Sequence, residues 1–209
     1  MAYGFMDIAR TPSVQDAQAE MGADHLWSNF KGHREFNRFT DQEAAFIAQR
    51  DSFYIASVSE TGWPYVQHRG GPPGFLKMLD DQTLAFADYR GNRQYISTGN
   101  FKASDRASLI LVDYPRRARL KIYAHVEKLS LDADASLLER VEDAGYNAKL
   151  ERIFLLRLAA FDWNCPQHIT PRFTESEIAL AVQPLHDRIA QLEREKASLL
   201  EQVRAMGGS

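Results

Sequence analysis

The chain of 209 residues has one cysteine, Cys165, which excludes an intramolecular disulfide and any zinc site built from several cysteines. Histidine is scarce as well: His25, His33, His68, His125, His168 and His186 show no ligand spacing, and no metal is expected. No uncharged apolar run approaches the ~20 residues needed to span a bilayer. Asp7 and Arg10 interrupt the only apolar stretch at the amino terminus, so a signal peptide is not expected either. These absences predict a cytoplasmic protein with no membrane partner. Net charge is only −3, from 25 Lys+Arg against 28 Asp+Glu, which gives no reason to expect a nucleic-acid partner. With 44% hydrophobic and 25% charged residues, a mostly disordered chain is excluded.

The small net charge hides an asymmetry. Between Gln67 and His125 stand ten cations (Arg69, Lys77, Arg90, Arg93, Lys102, Arg106, Arg116, Arg117, Arg119, Lys121) and five acids (Asp80, Asp81, Asp88, Asp105, Asp113). That stretch is +5 (10 − 5) and the remainder −8 (−3 − 5). A local surplus of cations in an acidic chain suggests a bound anion of modest size, and a solvated face with chance clustering is the plainer alternative.

Periodicity divides the chain into three parts: a peripheral helical segment over 1–50, a strand-rich domain over 51–173 and a carboxy-terminal helix over 174–209. In the first part, Ser13 is positioned to cap a helix to Glu20. Thr40-Asp41-Gln42-Glu43 is a capping box opening a helix to Arg50. Strands are predicted over Phe53–Val58, Pro64–His68, Phe75–Leu79, Thr83–Asp88, Ala107–Val112, Arg119–Leu131 and Arg152–Phe161. Gly70-Gly71-Pro72-Pro73-Gly74 punctuates them. Asn92 suits the cap of a helix to Phe101, and Asp132 that of a helix to Ala144. The predicted fold is mainly β (α+β), a β-barrel with small helical insertions.

After Pro171, a second capping box, Thr174-Glu175-Ser176-Glu177, opens a helix in which Ile178, Val182, Leu185, Ile189, Leu192, Leu199, Val203 and Met206 recur at alternating steps of four and three. Only Lys196 breaks this heptad seam. Pro184 is a flaw, and the long straight segment is expected to begin near it. A coiled coil and an amphipathic helix lying on its own barrel are both open readings.

The chemistry concentrates in Phe86-Ala87-Asp88-Tyr89-Arg90-Gly91-Asn92-Arg93-Gln94, read as strand end, tight loop and helix start. A helix start offers free N–H groups to an anion, and Arg93 in its first turn adds a forked donor suited to phosphate. Together with Phe75-Leu76-Lys77 before it and Gly99-Asn100 after it, at matching spacing, this pattern resembles the FMN-binding split β-barrels of the pyridoxamine 5′-phosphate oxidase type. The resemblance covers Phe53 to Phe161. It implies an FMN cofactor, with Lys77, Arg93 and Gln94 facing the phosphate and ribityl chain. Asn92 stands in place of the family serine, Asp88 in place of its threonine, and Arg119 in place of a glutamine near the isoalloxazine. A cation beside N1 would stabilise reduced flavin. The Gly-Pro loop replaces a family arginine, for which the resemblance offers Arg69 as a substitute from an earlier position, and Gln94 replaces a lysine.

A second segment, Trp163-Asn164-Cys165-Pro166-Gln167-His168, follows the last strand, where the fold brings a strand end to the flavin, often across a homodimer interface. Trp163, Asn164, Gln167 and His68 join the candidate cofactor contacts. Cys165 and His168 are the candidate catalytic groups: His168 is placed to lower the thiol pKa or relay protons. A buried cysteine and a structural histidine are the plainer readings. The Arg-x-His-x-Arg clamp of the vitamin oxidases is missing. The expectation is therefore an FMN-dependent oxidoreductase acting on a small molecule, with NADH or NADPH as electron donor. The alternative is a flavin- or haem-binding module without turnover, with His168 or His68 as the haem ligand.

Overall fold

The computed structural model describes residues 4–27, 37–163 and 166–206. Three short helices, α1 (Phe5–Ala9), α2 (Pro12–Glu20) and α3 (Asp24–Trp27), precede α4 (Asp41–Ala48). Strands follow as β1 (Ser52–Val58), β2 (Pro64–Gly70), β3 (Lys77–Asp80) and β4 (Thr83–Tyr89), then α5 (Ile96–Ala103), β5 (Arg106–Asp113) and β6 (Ala118–Leu129). The chain continues through α6 (Ala135–Val141) and β7 (Leu150–Trp163) to α7 (Glu175–Met206).

The seven strands form one antiparallel sheet in the order β2-β1-β5-β6-β7-β4-β3. Alternation explains its curl. Along β1, Phe53 and Ile55 are buried while Tyr54 and Val58 are exposed. Leu109 and Leu111 of β5, Leu120 and Ile122 of β6 and Phe86 of β4 meet them inside. Phe53 stacks on Phe75 at 5.5 Å and meets Phe86 edge-on at 5.3 Å, and Phe86 contacts Phe154 at 5.3 Å. Each ring buries ~150 Å² or more, so these aromatics carry much of the core. The other face of β4 and β7 buries Ala85, Ala87 and Ile153 against Leu137 and Val141 of α6.

Among the described residues no backbone ladder joins β2 to β3 or β4. The barrel closes there through side chains: Arg69 of β2 pairs with Asp88 of β4, and Ser97 of α5 donates to Gln67 of β2 at 2.8 Å. This is a split barrel. Gly74 makes the turn that brings Phe75 inward. Its φ is +77°, and a Cβ there would lie 2.9 Å from the Ala48 carbonyl oxygen, which is why glycine stands at this position.

Several boundaries differ from expectation, each for a local reason. Helix α2 starts from a Thr11 cap, two residues earlier than Ser13, because Pro12 is preset for the first helical residue. Asp134, not Asp132, caps α6, accepting from the amides of Ser136 and Leu137. Helix α5 begins at Ile96, so Asn92 does not cap it and Arg93 is not in its first turn. Arg93 and Tyr95 both have left-handed backbone, with φ of 61° and 54°, which a right-handed helix cannot contain. The capping box of α4 is as expected: Glu43 accepts from the Thr40 amide at 2.9 Å, and Thr40 accepts from Gln42.

Residues 114–116 and 170–209 form a second compact unit dominated by α7. This helix is continuous through Pro184 and begins nine residues before it. The proline costs the bond to the Leu180 carbonyl without ending the helix.

Candidate anion and cofactor site

The bulge in the β4–β7 ladder between Asp88 and Tyr89 turns the chain out of the sheet into the 90–95 loop. The Arg90 amide donates to the Lys149 carbonyl and the Tyr95 hydroxyl to Glu151, so the loop is tied at both ends to the chain at the start of β7, while the Gln94 amide donates to Asn92 Oδ1 within it. It folds over a small cleft lined by Gln67 and Arg69 of β2, Asp88 of β4, loop residues Asn92, Arg93 and Gln94, and Ser97 and Thr98 of α5. The cleft encloses about 50 Å³.

Behind it lies a charge network. Asp88, only 4% exposed, is held by Arg69 and by Arg152 of β7 at 3.3 Å. Arg152 also donates to Thr98 Oγ1 at 2.7 Å and to Glu151 at 2.9 Å, and it lies over the Tyr95 ring at 4.7 Å. Glu151 in turn binds Arg90 at 2.7 Å and the Tyr95 hydroxyl at 3.1 Å. Burial pushes the Asp88 carboxyl above its ordinary range, with Arg69 and then Arg152 pulling it back. Burial likewise lowers Arg69, opposed by Asp88. The Arg90 hydrogen bond holds Glu151 below the ordinary glutamate range.

Three arginines, Arg69, Arg90 and Arg152, thus surround two carboxylates. The Arg69 Nε is buried without a hydrogen bond, and Arg93 is exposed with no ion pair among the described residues. A buried unsatisfied donor and an unpaired guanidinium beside amide and hydroxyl donors are what a bound phosphate would satisfy.

Of the residues anticipated from sequence, this cleft gathers Arg69, Asp88, Asn92, Arg93 and Gln94. His68 lies on the outward face of β2, edge-on to Tyr54 at 5.4 Å, at the rim of an adjoining cleft. Lys77 is not with them. It pairs with Ala85, and cross-strand partners share a face, so it sits on the α6 side of β4, away from Asp88. Arg119 is the second residue of β6, opposite Val112. It is ten residues from Leu129, whose partner Ile153 adjoins Arg152, a span of about 30 Å at strand rise. Trp163 pairs with Leu120 at that same far end, where its indole donates to Glu43 at 2.6 Å. Gln167 and His168 are exposed in the turn beyond it, His168 with φ of 62°. Asn164 and Cys165 lie outside the described residues.

Sequence reading missed Gln67, Ser97, Glu151 and Arg152. Only the adjacent charges of Glu151-Arg152 at the start of a largely apolar strand hinted at the last two.

Fold and cleft together define a split-barrel protein with a small, arginine-lined cleft at one end. Residues 39–160, more than half of the chain, match the family model of pyridoxamine 5′-phosphate oxidase, and the chain belongs to that family. No curated protein matches it. Solved structures similar to it include an FMN-binding protein from Syntrophomonas wolfei subsp. wolfei (15% identity, 73% of this chain and 95% of that one, TM-score 0.45). Another is a Clostridium acetobutylicum protein related to general stress protein 26 of Bacillus subtilis, of the pyridoxinephosphate oxidase family (14%, 66% and 95%, 0.46). A third is HutZ, the haem storage protein of Vibrio cholerae (14%, 60% and 94%, 0.41). No helix among the described residues is long and apolar enough to cross a membrane.

Proposed function

We propose that the chain binds FMN by its phosphate in the Arg93 cleft and works as an FMN-dependent oxidoreductase on a small molecule, with NADH or NADPH as electron donor. The observation that carries this reading is the tied 90–95 loop. It presents the unpaired Arg93 guanidinium beside the side chains of Asn92, Gln94 and Ser97, over the unsatisfied Nε of Arg69. Bound flavin would supply the two-electron chemistry. The chain's own task is to neutralise and orient the phosphate, with Arg93 as the exposed clamp and Arg69 held ready by Asp88.

A cleft of about 50 Å³ takes a phosphate but not a ring system, since ligand pockets run to ~300 Å³ or more. The remaining walls would come from a second copy. In a homodimer, the Arg119 and Trp163 end of one barrel would face the Arg93 end of the other. Tyr54, Val58 and Val66 on the outward faces of β1 and β2, with Trp63 at 76% exposure in their turn, offer the apolar surface for that pairing. Lys77, on the α6 face, would then not reach the phosphate of its own chain.

The purified protein is expected to be yellow. Arg93→Ala is expected to weaken FMN at least tenfold in titration calorimetry, in keeping with the loss of a charge-assisted hydrogen bond of about 1.5–3 kcal/mol. An unchanged affinity would sink the assignment. A Soret band in place of flavin bands would favour the haem reading, with the exposed His168 or His68 as ligand.

A further inference from the structure

The role of α7 is independent of what the barrel binds. None of its 32 residues is buried, and Leu185, Ile189, Leu192, Leu199 and Val203 are between 46% and 64% exposed along one seam. Reading the alternating steps as heptads places Val182, Ile189, Lys196 and Val203 at a, and Ile178, Leu185, Leu192, Leu199 and Met206 at d. β-Branched residues at a with leucine at d favour two parallel strands, and a single lysine at a fixes register at some cost in stability. Pro184 falls at c, off the seam.

The charges agree with this arrangement. Arg188 is at g and Glu193 is at the e position that a parallel, in-register second copy places opposite it. Neither makes an ion pair among the described residues of its own chain. Lys196 at a would be flanked by Glu195 at g of the second copy. The surface is already shaped for it. Leu192, Glu195, Lys196, Leu199, Leu200 and Val203 line one shallow groove. That groove comprises two successive four-residue holes: the first four residues would receive a second Lys196, and the last four a second Leu199.

We infer that α7 pairs with α7 of a second copy as a parallel, in-register, two-stranded coiled coil. The test uses full-length protein in a Cys165→Ser background, with nitroxide labels placed singly at Asp187→Cys, Arg194→Cys and Glu201→Cys, all at outward f positions. Pulsed electron resonance is expected to give one short interspin distance, the same at all three sites, from two spins. Distances that change by about 20 Å from one site to the next, as 1.5 Å per residue dictates for an antiparallel pair, would overturn the inference. So would a count of three or more spins, or no resolvable distance, as when the helix lies on its own barrel or binds another protein. In the Arg194→Cys protein, Arg188→Glu is expected to reduce the short-distance fraction several-fold and Arg188→Glu with Glu193→Arg to restore it. Failure of that rescue would also overturn it. Loss of flavin binding would leave all these readouts unchanged, so the two readings fail separately.

Discussion

Asp88→Ala is expected to destabilise the barrel by about 3–5 kcal/mol, the usual consequence of removing one partner from a buried ion cluster. Urea unfolding followed by tryptophan fluorescence would register it as a lower midpoint. The loss arises because Asp88 is the one carboxylate paired with Arg69 among the described residues, and it also faces Arg152, so both guanidinium groups would remain buried facing each other. Asp88→Asn keeps the shape and one acceptor and is expected to cost less. The pH dependence follows from the direction of the shift. Burial raises the folded-state pKa of Asp88, so the folded chain holds that proton more tightly than the unfolded one. Its contribution is therefore complete below the ordinary aspartate range and fades as pH rises through the raised value. Wild type should accordingly gain on Asp88→Asn as pH falls from 7 towards 4. A gap that widened in the opposite direction would show that the ion pair outweighs burial.

The second large effect is expected at the far end of the barrel. Glu43 is 3% exposed, and its two oxygens serve two elements at once. Oε2 accepts from the Thr40 amide and hydroxyl, closing the cap of α4, while Oε1 accepts from Trp163 Nε1. Trp163 also meets Phe46 of α4 edge-on at 4.8 Å. Glu43→Ala would remove the capping partner and leave the indole N–H unsatisfied, a buried donor costing ~1–3 kcal/mol and a cap about 1 kcal/mol. The expected sum is about 2–4 kcal/mol, with a red shift of tryptophan emission as water reaches the end of β7. Loss of stability without any spectral change would mean that Trp163 keeps its place by packing alone.

These two residues show what could be read from the chain and what could not. Glu43 was legible as part of a capping box, a signal contained within four residues, but its bond to Trp163 spans 120 positions and leaves no local trace. The strands were legible because alternation is local, and the split-barrel class was legible through the resemblance that Phe75-Leu76-Lys77, Phe86 to Gln94 and Gly99-Asn100 carry. Arg93 and Asn92 were placed on the right loop, yet in a helix start that does not exist, because left-handed backbone at non-glycine residues has no dependable sequence signature. Lys77 was expected beside Arg93 from its position near a strand end. Which face it takes depends on pairing with Ala85, a matter of register that spacing alone does not fix. Arg152 escaped notice because its partners are Thr98, 54 residues earlier, and Asp88 on a neighbouring strand.

A barrel whose last seam is made of side chains, not amide ladders, has a built-in order of opening. The edge strands β2 and β3 carry backbone groups protected on one side only, and the polar contacts that tie β2 across the gap are those of Arg69 with Asp88 of β4 and of Gln67 with Ser97 of α5. In deuterium exchange, β2 and β3 amides should trade hydrogens well before those of β6 and β7, which are paired on both sides. An anion bridging Arg69 to the 90–95 loop would slow β2 selectively. The cleft would then act as a latch on the barrel as well as a place to hold a ligand.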